Sequence, residues 1–477
     1  MGRMSEASWN PPGRSLPAVL PLPGTREAVA RIDLFVNVPN TAGVYPRLTL
    51  FRHGGTMRTH RRFQIGLATV AACLAAGAAI PAAAEDVTLE YWVYSDFAQG
   101  DALALQQQFI DEFVQKHPGT TINISGKGDD DLTAGEVAGA ASGTLPDVFM
   151  NGLNVGAQLV EVGALANLYD HWMAMPEDYR AQFDEAAVKS CMPKPDELWC
   201  LPYTGFGSLL FRNLTVLEKA GVDTATPPAT WDEWLGQMQK VKEAGLSAIP
   251  DETLIFNSVA EIYGVFGDES NWGIDWDSKT TKIDPAVMAK TLQAFVDMVP
   301  LNSGTSRNDQ ATKDLFISNQ LAFHTVGPWV DPTYKEAADL KYDYVLIPGA
   351  AEGRHGGVKS YEIVGVAPGK NEDLAWEFAS YITAKEQMAR WAKLLARYNA
   401  NAAAMADPEV AALPLIAQSV EAVKYAIDSQ PPYFVAAVPA CYGSTVTDIA
   451  QATADGDYTP DEGAAEMIAE LNECLAG

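Results

Sequence analysis

Arg397 carries a guanidinium fork that can grip a hydroxyl, a carboxylate or a phosphate. Trp329 follows Pro328, which fixes the turn before it, and offers an indole face for stacking. Tyr94 and Asp96 come directly after an alternating apolar run, where a parallel sheet presents its ligand loops. Tyr361 and Glu362 follow a Gly356-Gly357 turn. These residues can hold a polar molecule, and none of them completes a nucleophile–base pair. No G-x-S-x-G, H-E-x-x-H or Walker pattern occurs. Beyond residue 84 the histidines are His117, His171, His324 and His355, none in a triad context. With 61 Asp+Glu, a pair of carboxylates doing glycoside hydrolysis stays open as an alternative. Asp129-Asp130-Asp131 reads as a helix cap, and Asp268–Asp277 lacks the glycine placement of a calcium loop.

The elements that must position such groups fit a folded chain. Its 477 residues are 48% hydrophobic and 9% aromatic, too apolar for disorder and enough for about two or three domains. Against those 61 acids stand 33 Lys+Arg, a formal charge of −28. Such acidity argues against nucleic acid, which needs a basic face, and against anionic membrane surfaces.

Residues 57–84 read as a secretory signal peptide. Arg58, Arg61 and Arg62 form a positive start, an apolar stretch runs to Ile80, and Ala82-Ala83-Ala84 suits cleavage before Glu85. The segment is too short and Ala-rich for a membrane span, and lipid anchoring at Cys73 is not expected. Translation is expected to start at Met57, with residues 1–56, which hold seven prolines, a mis-called start or a disordered extension. The exported part keeps Cys191, Cys200, Cys441 and Cys474. Four cysteines allow three connectivities. Cys191 and Cys200 bracket the turn-forming MPKPDELW, which leaves Cys441 and Cys474 to pair. Zinc is not expected, because C-x-x-C spacing is missing.

Short apolar strands alternate with amphipathic helices. Val87–Val93 is the first strand, and Leu105, Phe109 and Phe113 mark a helix capped by Asp101 and stopped at His117-Pro118-Gly119. Strands follow at 121–124 and 147–150, with a helix between them over 131–141. Thr230 and Glu233 form a capping-box pattern. Strands return at 342–347 and 363–367, and helices at 373–382, 386–395 and 459–475. The succession implies an α/β fold with parallel sheets flanked by helices.

In order, several marks resemble one family. They are Ser142-Gly143-Thr144-Leu145-Pro146-Asp147-Val148, Gly163-Ala164-Leu165, Leu198-Trp199-Cys200-Leu201-Pro202-Tyr203, Phe316–Phe323, Gly327-Pro328-Trp329 and Glu372–Phe378. Over residues 87–475 the chain is similar to the extracellular solute-binding proteins of bacterial ABC importers, in the sugar-binding group that includes maltose-binding protein. Phe211-Arg212 and Tyr398-Asn399-Ala400-Asn401 depart from the family pattern and put the sugar type in doubt. The resemblance implies a two-lobed fold with several hinge crossings. One lobe is expected at 85–202 and 346–383, the other at 203–345 and 384–477. It implies a periplasmic, monomeric receptor without cofactor or metal that captures a sugar or small oligosaccharide between the lobes. Permease subunits with their ATPase are the implied partners. It places Trp329 as the stacking platform, Asn151 and Asn154 at sugar contacts, Tyr203 and Phe206 at the lobe crossing, and Arg397 at a ligand contact. Tyr361, Glu362 and Tyr442 are further candidates, with Tyr433, Trp272 and Trp276 weaker ones. The alternatives are a polyamine, a glycerol phosphate or a metal as ligand, or a secreted carbohydrate-active hydrolase.

Overall fold

The computed structural model describes residues 86–476 apart from 252–255, 276–277, 307–309 and 429–436. The expected leader at 57–84, the extension 1–56, Trp276 and Tyr433 lie outside the described residues.

Leu89, Tyr91 and Val93 alternate, and all three are fully buried, which makes β1 (Val87–Tyr94) a strand with one face on a core. α1 (Gly100–Lys116) buries Leu105, Phe109 and Phe113 on one stripe. Its cap is Gln99; Asp101 sits in the first turn, where its charge meets the positive end of the helix dipole. β2 (Thr120–Lys127) follows, then α2 (Asp129–Ser142), β3 (Val148–Gly152), α3 (Gly156–Glu161) and β4 (Leu201–Gly207). The acidic run 129–131 opens α2 behind Gly128, which is the N-cap and supplies no side chain. Next come β5 (Leu209–Asn213), α4 (Trp231–Glu243), α5 (Pro285–Met298), β6 (Phe323–Val326) and β7 (Tyr342–Val345). The last stretch holds β8 (Val358–Val366), α6 (Glu372–Ile382), α7 (Lys385–Leu395), α8 (Pro414–Tyr425), β9 (Ile427–Asp428), α9 (Ala437–Asp455) and α10 (Pro460–Ala476).

The first sheet runs β9-β8-β3-β1-β2, with β4 also paired to β8. β1 lies parallel to β2 and to β3, and the chain crosses between these strands through α1 and α2. β8 returns antiparallel to β3 and β4. A second sheet, β6-β5-β7, is antiparallel.

Two large hydrophobic cores result, with two smaller clusters beside them, and the fold is two-lobed. One gathers Leu89, Phe109, Ile363 and Trp391. The other gathers Trp234, Phe295, Val446 and Leu471. The expected assignment of everything after 383 to the second lobe is corrected over 385–416. Met388, Trp391, Val410 and Ile416 belong to the first core, because Trp391 sets its ring edge-on against Phe97 at 5.2 Å and Phe109 at 6.0 Å. β4 likewise stays in the first sheet through Gly207.

The chain passes between these two cores between Tyr203 and Leu210, between Val358 and Tyr361, and between Ile416 and Ile427. These crossings bond to one another. Ser208 N donates to Val358 O at 2.9 Å, and Ile427 N donates to Gly357 O at 3.1 Å. Val358 N donates to Ser208 Oγ at 2.9 Å. Gly357 has φ +133, a backbone conformation open to glycine alone, which explains that residue type at this crossing. Cys191 is bonded to Cys200 in the first lobe, and Cys441 to Cys474 in the second, tying α9 to α10.

Candidate ligand-binding site

Three small clusters hold most of the candidate residues. The first lies where β1 and β3 end side by side. Tyr94 Oη donates to Asn151 Oδ1 at 3.2 Å. Asn151 is buried, and its amide is fully engaged: Nδ2 donates to Glu136 Oε2 at 2.7 Å and Thr133 Oγ1 at 3.1 Å, while Oδ1 accepts from Gly152 N at 2.7 Å. Asn151 is therefore a bracing residue, and the group it braces is Tyr94. Asn154 is exposed and borders an open groove of about 620 Å³ with Thr133, Val137 and Gln158.

The second cluster centres on Arg397. Its Nη2 donates to Asp96 Oδ2 at 2.5 Å, its Nη1 lies 3.8 Å from Glu362 Oε2, and its guanidinium stacks 4.7 Å from the Phe97 ring. Thr204 Oγ1 donates to the same Glu362 oxygen. The fork is thus matched by two carboxylates, and the cluster as a whole carries an excess negative charge. Asp96 remains half exposed. Ala396, one residue earlier, ends α7 in the left-handed region at φ +50. That conformation costs a non-glycine residue about 1 kcal/mol, and it aims the chain so that Arg397 meets Asp96. Ala396→Gly is expected to raise stability by about 0.5–1 kcal/mol in urea unfolding. A loss of stability would show that the bend is not strained.

The third cluster is aromatic. Trp329 sits on a short 3-10 turn, Pro328–Val330, and meets Phe206 of β4 edge-to-face at 4.9 Å. The indole folds back over Gly327: a Cβ there would lie 1.8 Å from its Cζ3, so only glycine leaves the ring its place. Trp329 is partly buried, with surface left for a ligand.

Other candidates are placed elsewhere. Tyr442 is a correction: it is buried in the second core, its hydroxyl donating to Gly273 O at 2.8 Å and lying 2.5 Å from Thr281 Oγ1. Tyr203, expected at the lobe crossing, is fully buried there and packs on Phe97. Tyr361 is largely buried, its ring over Gly205 and beside Tyr398. Trp272 packs on Tyr263 in the second core. Sequence reasoning missed Thr133, Glu136 and Thr204. The signal for Glu136 was available: it shares the buried stripe of α2 with Leu132, one turn away, a position that calls for an apolar residue. Burial lifts its carboxyl to a pKa of about 8. Among the described residues no group of three or more His, Cys, Asp or Glu could hold a metal ion, and no helix is long and apolar enough to cross a membrane.

The family of bacterial extracellular solute-binding proteins matches residues 108–418. The chain belongs to that family. Two curated relatives of this solute-binding protein are sn-glycerol-3-phosphate-binding periplasmic proteins, both named UgpB. The one from Agrobacterium fabrum is 26% identical over 29% of this chain and 34% of its own length. The one from Pectobacterium atrosepticum is 21% identical over 68% of this chain and 75% of its own. The chain therefore spans about a third of the first relative and three quarters of the second. Among solved structures, the GacH receptor of Streptomyces glaucescens, studied unliganded and with acarbose, is 21% identical. It superposes with a TM-score of 0.68, covering 82% of this chain and 98% of that one. The maltotriose binding protein of Thermus thermophilus, 18% identical, gives 0.66, covering 81% and 99%. At these identities the likeness establishes the two-lobed fold.

Proposed function

We propose that this solute-binding protein is the exported, periplasmic receptor of an ABC importer. It takes up a sugar or small oligosaccharide between its lobes and hands it unaltered to permease subunits driven by their ATPase. The observation that carries the ligand class is the state of Arg397. Two carboxylates already flank its fork, so the cluster offers a phosphate or carboxylate ligand no net attraction. A neutral polyol meets the same groups well. Asp96 and Glu362 accept hydroxyl protons, while the Trp329–Phe206 pair gives a ring face for sugar C–H groups. The ligands of the structural neighbours, acarbose and maltotriose among them, support this reading. The glycerol phosphate relatives mark the reading that the Arg397 geometry disfavours.

Thermal shift of the purified protein with maltotriose, acarbose, α-D-tagatose and sn-glycerol 3-phosphate tests it. Saturable stabilisation by a sugar is expected, about 2.7 kcal/mol at a concentration one hundred times Kd. Chromatography of the recovered sugar should show it unchanged. A shift with glycerol phosphate alone overturns the sugar assignment, and new reducing ends overturn the receptor assignment in favour of a hydrolase.

A further inference from the structure

Lys359, Asp428 and Glu269 form a charged cluster at the joint between the lobes, and ligand capture as proposed above does not use it. Lys359 lies on the crossing stretch of β8, with Gly207 of β4 and Asp428 of β9 as its partners on either side in the first sheet. Glu269 belongs to the second lobe, on a 3-10 turn, Glu269–Asn271, between Phe266 and Trp272 of the second core. The Lys359 ammonium reaches both carboxyls: Nζ donates to Glu269 Oε2 at 3.1 Å and lies 3.8 Å from Asp428 Oδ1. One cation serves two acids, and it ties a strand of the first sheet to a turn of the second lobe. Little backbone supports this tie. β9 has two residues, in register with Val358 and Lys359, and Ile427 N donates to Gly357 O at 3.1 Å. The helix Phe256–Phe266, which leads into the turn, bears on the same spot: a Cβ on Gly264 would lie 2.9 Å from Gly357 O.

Other ionisable groups around the joint have partners of their own. In the turn, Asp268 accepts from Ser270, and Arg354 donates to Gly267 O. The helix Phe256–Phe266 carries Glu261 and Tyr263, both engaged, Tyr263 through Asn271 O. On α8, Glu421 pairs with Lys424, and Tyr425 meets His355 edge-on. Further along β8, Glu362 accepts from Thr204, and Tyr361 lies beside Tyr398. Among the described residues the charges that act on Asp428 are Lys359 and Glu269. Burial pushes the Asp428 carboxyl up, Lys359 draws it back, and a hydrogen bond with Glu269 adds to the rise, to about 7.

We propose that Lys359, Asp428 and Glu269 are a proton-operated latch across the interlobe joint, fastened when the two carboxyls share one proton and released when that proton leaves. With the proton, one acid, one carboxylate and one ammonium sum to zero, and the acid O–H donates to its neighbour in a charge-assisted bond. Without it the cluster is left with a net negative charge. Glu269 is half exposed and relieves the repulsion by turning to water, whereas Asp428 is held on β9. That breaks the side-chain tie and leaves the short β9 pairing to hold the joint. Capture and release between two lobes need this joint to move, so the acidity of the surroundings sets how readily the receptor changes shape. The latch does not depend on which ligand is bound.

Hydrogen exchange of the unliganded protein, read by mass spectrometry at about pH 6 and about pH 8 and corrected for the intrinsic rate, tests it. In the native protein, protection of peptides covering 264–272 and 421–428 is expected to fall about tenfold, which couples about one pK unit of the shift to opening of the joint. Protection over 87–94, inside the first sheet, should stay within about twofold. Asp428→Asn keeps a donor towards Glu269 and has no proton to lose, so its protection should hold within about twofold throughout. Glu269→Gln, at a half-exposed position, removes the repelling charge and should cut the fall to less than about threefold. This variant decides the matter should Asp428→Asn fail to fold. Equal protection of the native joint at both pH values overturns the proposal, as does an equal fall over 87–94, an undiminished fall in Asp428→Asn, or one in Glu269→Gln. A second arm follows melting. The folded pKa of about 7 lies above the ordinary 3.8, so stability from this group is full below about pH 3.8 and is lost as pH rises through about 7. The melting temperature of the native protein should therefore fall relative to Asp428→Asn over that range, and parallel profiles overturn the proposal. Neither arm contains a sugar, so failure of the latch and failure of the sugar reading are seen separately.

Discussion

Trp329→Ala is expected to abolish the maltotriose-induced rise in melting temperature and to leave the unliganded melting temperature within a few degrees. The indole rests edge-on against Phe206 at 4.9 Å, a pair worth about 0.5–1.5 kcal/mol beyond its buried area. It is only partly buried, so truncation removes modest packing from the lobe. Its exposed face is the platform proposed for the sugar ring. Aromatic anchors of this kind contribute about 2–4 kcal/mol to a complex, roughly thirty- to a thousandfold in Kd. Measured with sugar at about ten times the native Kd, that loss removes nearly all the stabilisation that binding gives. An unchanged shift would take Trp329 out of the site. A collapse of the unliganded protein would show that the indole is a core residue.

The second large effect falls on stability. Cys441→Ser/Cys474→Ser should lower the unfolding free energy by about 3.5 kcal/mol, and Cys191→Ser/Cys200→Ser by about 2.5 kcal/mol. The difference follows from the loops closed, 33 residues against 9, because a longer loop loses more freedom in the unfolded chain. The longer one joins α9 to α10, two helices that build the second core through Val446 and Leu471. Urea unfolding of each pair of variants checks the order. Equal losses would mean that native packing, and not chain entropy, sets the effect.

Much of the scaffold was legible because its signals are local. The buried alternation of Leu89, Tyr91 and Val93 and the four-residue spacing of Leu105, Phe109 and Phe113 mark β1 and α1 directly. Thr230 caps α4, its hydroxyl oxygen accepting from Glu233 N at 3.3 Å. The Cys191–Cys200 turn was readable for the same reason. What failed depends on distant partners. Nothing near α7 announces that Trp391 will pack on Phe97 and Phe109, so its lobe was misplaced. Tyr203 and Tyr442 have the composition of site residues, and only tertiary packing puts them inside. Arg397 was read as either a ligand contact or one half of an ion pair, and its two carboxylates lie some 300 and 35 positions away in sequence.

Severing the peptide at 207–208 would still leave the lobes joined through the stretches Val358–Tyr361 and Ile416–Ile427, and laced by the hydrogen bonds among Ser208, Gly357, Val358 and Ile427. A protease nick at that position would give a molecule that elutes at its native size and separates into fragments only in denaturant.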